Sequence, residues 1–245
     1  MSIHAAPTPR PSGLRVLGGL IADYTYVFRS RLRWWRYGPK PPQPLESAEG
    51  DLPPVLLIPG VFETWHYLKP LHDALRERGH AVHAVPELGF NRHPIAEVAA
   101  MLAAYVEHRD LRDVVIVAHS KGGLIGTLLL RDDELAASEG QARRFSRMIS
   151  LNTPYAGSPL SHYAVGPWRE FRPTLPVIGE VGAAHAAHAR THVLRAAYDQ
   201  YVPAESAVLP GAAENVELPH VGHFRLLGLP TVIDDVLARV PLRRA

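Results

Sequence analysis

The chain has 245 residues, with 26 Lys or Arg against 24 Asp or Glu, 14 histidines and no cysteine. That length and ordinary charge fraction fit one globular unit with a large core and argue against a disordered chain. The missing cysteines exclude disulfides, thiolate metal sites and a cysteine nucleophile.

The net charge of +2 hides an asymmetry. Residues 1–40 carry +6, with Asp23 as their only acid, and the remainder carries −4. Within this basic segment Leu14, Leu17, Ile21, Tyr24, Phe28, Leu32 and Trp35 recur at helical spacing, and Arg29, Arg33 and Arg36 fall along another side. Two uses of such an amphipathic helix are open. It can lie across the body with its apolar face inward, or sit at an interface with tryptophans and arginines against anionic headgroups, a peripheral membrane contact. Nucleic acid is not an expected partner, because no base-reading or single-strand module accompanies the charge. Residues 37–54 are proline-rich (Pro39, Pro41, Pro42, Pro44, Pro53 and Pro54) and read as a linker. The expected division is therefore 1–52 for helix and linker and 53–245 for the main domain.

From there, apolar runs and helical patterns alternate. Strands are expected at 55–58, 81–85, 114–117, 147–151, 191–198 and about 215–218. Helices are expected at about 64–78, 94–108, after 120 and at 230–240. Six strands alternating with helices imply right-handed crossovers and a mostly parallel sheet flanked by helices. Residues 154–190, rich in proline, glycine and aromatics, read as a short lid over a pocket.

Val114-Val115-Ile116-Val117 leads into Ala118-His119-Ser120-Lys121-Gly122-Gly123, and an apolar helical pattern leaves it. A strand, sharp turn and helix around a serine put its Oγ at the apex, with backbone N–H groups aimed at the same spot. A serine becomes a nucleophile only when a histidine takes its proton and a carboxylate holds that histidine. Asp199, just past the strand at 191–198, is the best placed acid; the segment Leu151-Asn152-Thr153, one strand earlier, has none. His223 is the expected base, because Gly222 before it allows the sharp bend that brings an imidazole over the serine; His220 is its nearest rival. His119 is expected to pack beneath the turn. Oxyanion donors would be the backbone N–H groups of Lys121, which follows the serine, and of Val61, in the loop after the first strand. The Lys121 side chain is expected to reach solvent or a surface carboxylate, with tuning of an acyl pocket as the alternative. Phe62, Trp65, Tyr155 and Leu160 are candidate pocket walls. Histidines and carboxylates show no metal-ligand spacing, so no metal is expected.

Ile58-Pro59-Gly60-Val61, Ala118-His119-Ser120-Lys121-Gly122-Gly123, Asn152-Thr153-Pro154 with Gly157-Ser158, Asp199 with Val202-Pro203, and Gly222-His223 together resemble the α/β-hydrolase superfamily, and within it bacterial lipases and esterases. The resemblance covers about residues 53–240. It departs from the usual pattern at Ala118 for glycine, at Pro59 before the oxyanion loop and at Tyr155 for a histidine. It implies an α/β-hydrolase fold and cleavage of a small-molecule or lipid ester through an acyl-enzyme on Ser120, without cofactor. Transfer of the acyl group to another alcohol and a non-catalytic binding scaffold are the alternatives it leaves open. No run of about 20 apolar residues and no ordered secretory signal are present, so the expected location is cytoplasmic, with the inner membrane face as the peripheral alternative.

Overall fold

The computed structural model describes residues 12–43 and 52–243, without the side chains of Pro159 and Leu160. Six strands form one fully parallel sheet: β1 (Val55–Ile58), β2 (Val82–Ala84), β3 (Val114–His119), β4 (Phe145–Leu151), β5 (Thr191–Tyr198) and β6 (Glu214–Val221), in the order β2-β1-β3-β4-β5-β6. Central strands of a sheet covered on both faces need apolar residues at every position, not at alternate ones. Accordingly β1 and β3 are buried throughout.

Alternate residues still go to opposite faces. Leu56, Ile58, Ile116 and Ala118 join α3 (Ile95–His108) and α4 (Lys121–Ser138) in one core. Val55, Leu57, Val115 and Val117 join α2 (Lys69–Glu77) and α7 (Pro230–Arg239) in the other. Each fully buried aliphatic side chain contributes roughly 1.5–3 kcal/mol by leaving water. The expected helix at 64–78 is divided: a 3-10 turn at Trp65–Tyr67 precedes α2, which starts at Lys69-Pro70, where proline suits a first turn. Residues 154–190, the stretch expected to form a lid, hold two 3-10 segments, Pro159–Tyr163 and Gly166–Phe171, followed by α5 (Pro176–Ala183) and α6 (His185–His188).

The chain goes outward from β1 to β2 and returns to the opposite side of β1 as β3. Parallel sheets open a crevice at such a reversal, beyond the carboxyl ends of the strands. The loops after β1, β3, β4, β5 and β6 all emerge on this rim, carrying Gly60, Ser120, Asn152, Asp199 and His223.

The N-terminal helix α1 (Gly13–Tyr37) packs against β6 and against the segments following β1 and β6. It does so with the face opposite to the expected one. Gly19, Asp23 and Ser30 are its buried positions, whereas Leu14, Leu17, Ile21, Tyr24, Phe28, Leu32 and Trp35 are exposed. The inward-stripe expectation is thus overturned, and local contacts give the reason. A Cβ at Gly19 would overlap the Val221 side chain, and Asp23 is committed to the backbone beyond His223. The part of the linker at 44–51 and residues 1–11 lie outside the described residues.

Candidate active site

Ser120 sits between β3 and α4 at φ 52°, ψ −120°, a backbone conformation that non-glycine residues rarely adopt. Such strain persists only where the surroundings enforce it. Here the Ser120 N–H bonds to Leu151 O at 2.9 Å, and α4 approaches β1 so closely that a Cβ at Gly122 would overlap the Ile58 carbonyl. The turn therefore holds Ser120 at the first turn of α4, where Lys121 is the opening residue and its N–H has no intrahelical partner.

His223 lies beyond β6, after Gly222 at φ 114°. Its Nδ1 donates to Asp199 Oδ2 at 2.6 Å, with both side chains almost wholly buried. The other Asp199 oxygen accepts the Tyr201 and Val202 N–H groups at 2.8 and 3.0 Å, which fixes the carboxylate's direction. Burial alone would lower the imidazole's pKa. The adjacent Asp199 carboxylate outweighs it, with Glu63 and Asp23 acting in the same sense, so His223 titrates above the usual histidine range. His220, the rival, belongs to β6 and faces Thr231 at 3.4 Å, and burial with nearby Arg225 lowers its pKa.

Ser120 and His223 open into one cavity of about 240 Å³, lined also by Pro154, Ser158, Trp168, Phe171, Tyr201 and Val202. Its surface is mainly apolar. The expected walls are largely elsewhere. Phe62 packs against Trp168, with ring centroids 6.0 Å apart, behind the lining. Trp65 is buried near a separate cleft, its Nε1 donating to Pro39 O at 3.1 Å. Tyr155 is sealed in the core, its hydroxyl bonded to Ser150 Oγ at 2.6 Å. The Leu160 side chain lies outside the described residues. Tyr155 and Trp65 are thus core aromatics, because each finds an apolar slot and a polar partner in the interior. The pocket aromatics come instead from the Gly166–Phe171 segment and from the loop after Asp199.

In the loop after β1, Val61 N–H donates to no backbone carbonyl among the described residues, and Phe62 adopts φ 59°. Glu63 closes this loop on itself, accepting the Gly60 N–H at 2.9 Å. Its carboxylate also meets His119 Nδ1 at 2.8 Å, and His119 Nε2 donates to the backbone oxygen of His223 at 2.9 Å. His119 therefore packs beneath the turn as expected, but in a pairing that spans the loop after β1, the serine turn and the His223 loop. Ligand-type atoms of Glu63, His119 and His223 lie within 4.8 Å of one another. A cation would fit that spacing, but Glu63 and His119 are already paired with each other and His223 Nδ1 is held by Asp199.

Asn152 and Asp23 complete the support of the His223 loop. Asn152, at φ 47°, accepts the Ala196 N–H at 2.8 Å and donates to His223 O at 3.1 Å. Asp23 of α1 accepts the Phe224 and Arg225 N–H groups, both at 2.7 Å, and the Gln200 side chain at 2.8 Å. Lys121 does not reach solvent. It is fully buried, with Nζ 2.8 Å from Glu170 Oε2 and bonded to His93 O at 2.5 Å. Glu170, itself half-buried, in turn accepts the Ile95 N–H at the start of α3, so this pair ties the Gly166–Phe171 segment to the serine turn and a helix N-terminus. Burial lowers the Lys121 pKa, an effect that Glu170 opposes.

No protein-family model matches the chain. Solved structures share its fold. A lipase from Bacillus licheniformis, BlEst2 in mature form, is 17% identical with a TM-score of 0.58, covering 81% of this chain and 96% of that one. A structure from the metagenome-derived lipolytic enzymes LipS and LipT is 16% identical with a TM-score of 0.56, covering 81% and 96%. The monoacylglycerol lipase of Paleococcus ferrophilus is 14% identical with a TM-score of 0.56, covering 78% and 97%. The chain has the α/β-hydrolase fold.

Proposed function

We propose that this protein is a serine hydrolase of carboxylic esters. The observation that carries this reading is the buried Asp199–His223 hydrogen bond of 2.6 Å, beside a serine in a strained strand-to-helix turn, with His223 and Ser120 facing one apolar cavity. The lipolytic names of the fold's neighbours support the same reading.

Asp199 fixes the tautomer with the proton on Nδ1, leaving Nε2 of His223 to accept the Ser120 Oγ proton as the oxygen attacks the ester carbonyl. Asp199 then stabilises the imidazolium. The developing oxyanion takes hydrogen bonds from Val61 and Lys121 N–H groups, each contributing about 2.7–4 kcal/mol in such sites. Collapse breaks the ester C–O bond, and His223 returns the proton to the leaving alcohol. A water, deprotonated by His223, then attacks the acyl-enzyme, and His223 returns that proton to Ser120 Oγ as the acyl C–O bond breaks and the acid leaves. The apolar lining by Trp168, Phe171 and Val202 suits an apolar acyl chain.

Hydrolysis of a chain-length series of p-nitrophenyl esters by wild type and Ser120→Ala is the deciding experiment. Turnover that the alanine variant loses by at least about 1,000-fold is expected. Turnover retained by Ser120→Ala, or none by folded wild type on any chain length, refutes the proposal.

A further inference from the structure

Helix α1 turns the wrong face outward for a helix that only completes the core. Leu14, Phe28 and Trp35 are 85%, 68% and 80% exposed, and Leu17, Ile21, Tyr24 and Leu32 continue the same stripe. From Leu14 to Trp35 it runs for about 32 Å at 1.5 Å per residue. A soluble protein rarely leaves an apolar surface of that extent open unless something binds it.

The helix cannot roll to hide this stripe. Asp23 holds the backbone after His223, Tyr26 donates to Tyr67 O at 2.6 Å, and Arg31 donates to Phe62 O at 2.9 Å and to the Tyr67 hydroxyl at 3.1 Å. Those bonds fix the inward face, so the outward face is a permanent feature of the fold.

Charge identifies the occupant. At about 100° per residue, Arg15, Arg29 and Arg36 border the stripe along one flank. All three are exposed, and none forms an ion pair with an acid among the described residues. The only acid on the helix, Asp23, is buried on the other side. A second copy seated on the stripe would bring two arginine flanks together, whereas an anionic bilayer offers apolar depth and negative headgroups side by side. No helix among the described residues is long and apolar enough to cross a membrane, so α1 would lie in the headgroup layer.

The stripe also leads to the cavity. Tyr24 on its edge hydrogen-bonds the Tyr201 hydroxyl at 2.9 Å, and Tyr201 forms cavity wall with its ring stacked near Trp168. Beside Ala164 of the lining, Tyr163 and Val165 are 92% and 83% exposed. We propose that the outward stripe of α1, with its arginine flank, docks the protein on an anionic lipid bilayer and brings the Ser120 cavity to the membrane surface. This proposal rests on the packing of α1 and stands whether or not the ester-cleaving reading holds.

The test uses the full chain carrying Ser120→Ala, so that no turnover alters the lipid. Co-sedimentation is measured with vesicles of phosphatidylcholine alone and of phosphatidylcholine mixed with phosphatidylglycerol. Binding to the mixed vesicles is expected to be at least about tenfold tighter and to weaken with added salt. Leu17→Ser, Phe28→Ser and Trp35→Ser combined should weaken it about 100-fold or more. Arg15→Gln, Arg29→Gln and Arg36→Gln combined should erase the preference for phosphatidylglycerol, with thermal midpoints unchanged in both sets. No binding to either vesicle, or equal binding by the serine set, overturns the proposal. So does a concentration-dependent dimer that the serine set abolishes in a protein that ignores vesicles, which would assign the stripe to a second copy.

Discussion

Two carboxylate–histidine pairs lie side by side at the rim of the sheet, Asp199–His223 and Glu63–His119, with imidazole centroids 4.7 Å apart. Both histidines are buried and both bring Nδ1 to a carboxylate, at 2.6 and 2.8 Å. Their second nitrogens separate them. His223 turns its free edge to the cavity, while His119 Nε2 ends on the carbonyl of His223 itself. That carbonyl accepts only from N–H, so His119 keeps a proton on Nε2 and has no lone pair there to offer a substrate. The same residue types thus leave one pair with a nitrogen free at the cavity and make the other a brace for it. What a histidine can do is decided by the partner of its second nitrogen.

The largest expected effect breaks the outer pair. His223→Ala should lower kcat for a turned-over ester by at least about 1,000-fold with little change in KM, as removal of a general base does. Asp199→Asn should follow, at about 10³–10⁴-fold, by releasing the wrong tautomer. The pH profile gives a second readout. Because His223 is raised above its ordinary 6.5, kcat/KM of wild type should rise along an acid limb above about 6.5. That limb should move down in Asp199→Asn. The linked stability has the opposite sense: the raised group stabilises the fold most below the unfolded value and loses that contribution as pH rises through the folded one. An acid limb that stays in place in Asp199→Asn would mean that another group sets it.

The inner pair gives a smaller effect of a different kind. Glu63→Gln keeps the shape but leaves His119 without its anionic partner and weakens the grip on the Gly60 N–H. Misplacing His223 and the loop after β1 by a fraction of an ångström should cost about 10–100-fold in kcat. Stability should fall by several kcal/mol in thermal unfolding, since half of a buried pair remains. Turnover equal to wild type would show that the brace carries no position to His223.

How much of this could be read in the residues differs between the two pairs for a physical reason. The outer pair stands on local signals: a valine run before Ser120, a strand before Asp199, and glycine before His223. Strands β1 and β3 were legible on the same grounds, because strands buried on both faces write continuous apolar runs. Glu63 carries no such signal; its role comes from β1 and β3 being neighbours in space, with Gly60-to-Glu63 spacing the only local hint. Asn152 was legible as the place where a carboxylate is missing, but not as the clamp on His223. For α1 the periodicity is correct and the face is not. A stripe of seven apolar residues outvoted a single acid in a basic segment, although an unpaired Asp23 was the better guide to what faces the protein. Likewise Trp65 and Tyr155 suggest pocket walls by residue type alone, while residues 154–171 and the loop after Asp199 supply those walls.

Asp23 offers the finest separation of brace from chemistry. It grips the peptides of Phe224 and Arg225 from α1, on the far side of the base loop from His119 and Asn152. Asp23→Ala strands two N–H groups, and at about 1–3 kcal/mol for each buried unpaired group the unfolding free energy should fall by roughly 2–6 kcal/mol. Turnover should fall less than in Glu63→Gln, by about threefold to tenfold, because the other two supports remain and the loop still closes over the serine. Asp23→Asn preserves an acceptor at the same place and should recover most of the stability. It also removes one of the charges that raise His223, so its acid limb should shift slightly downward. The two variants therefore part the roles of Asp23: the alanine reads its hydrogen bonds, and the asparagine reads its charge. If both variants lose turnover alike while unfolding like wild type, Asp23 acts on the reaction itself and the division between brace and chemistry fails at this position.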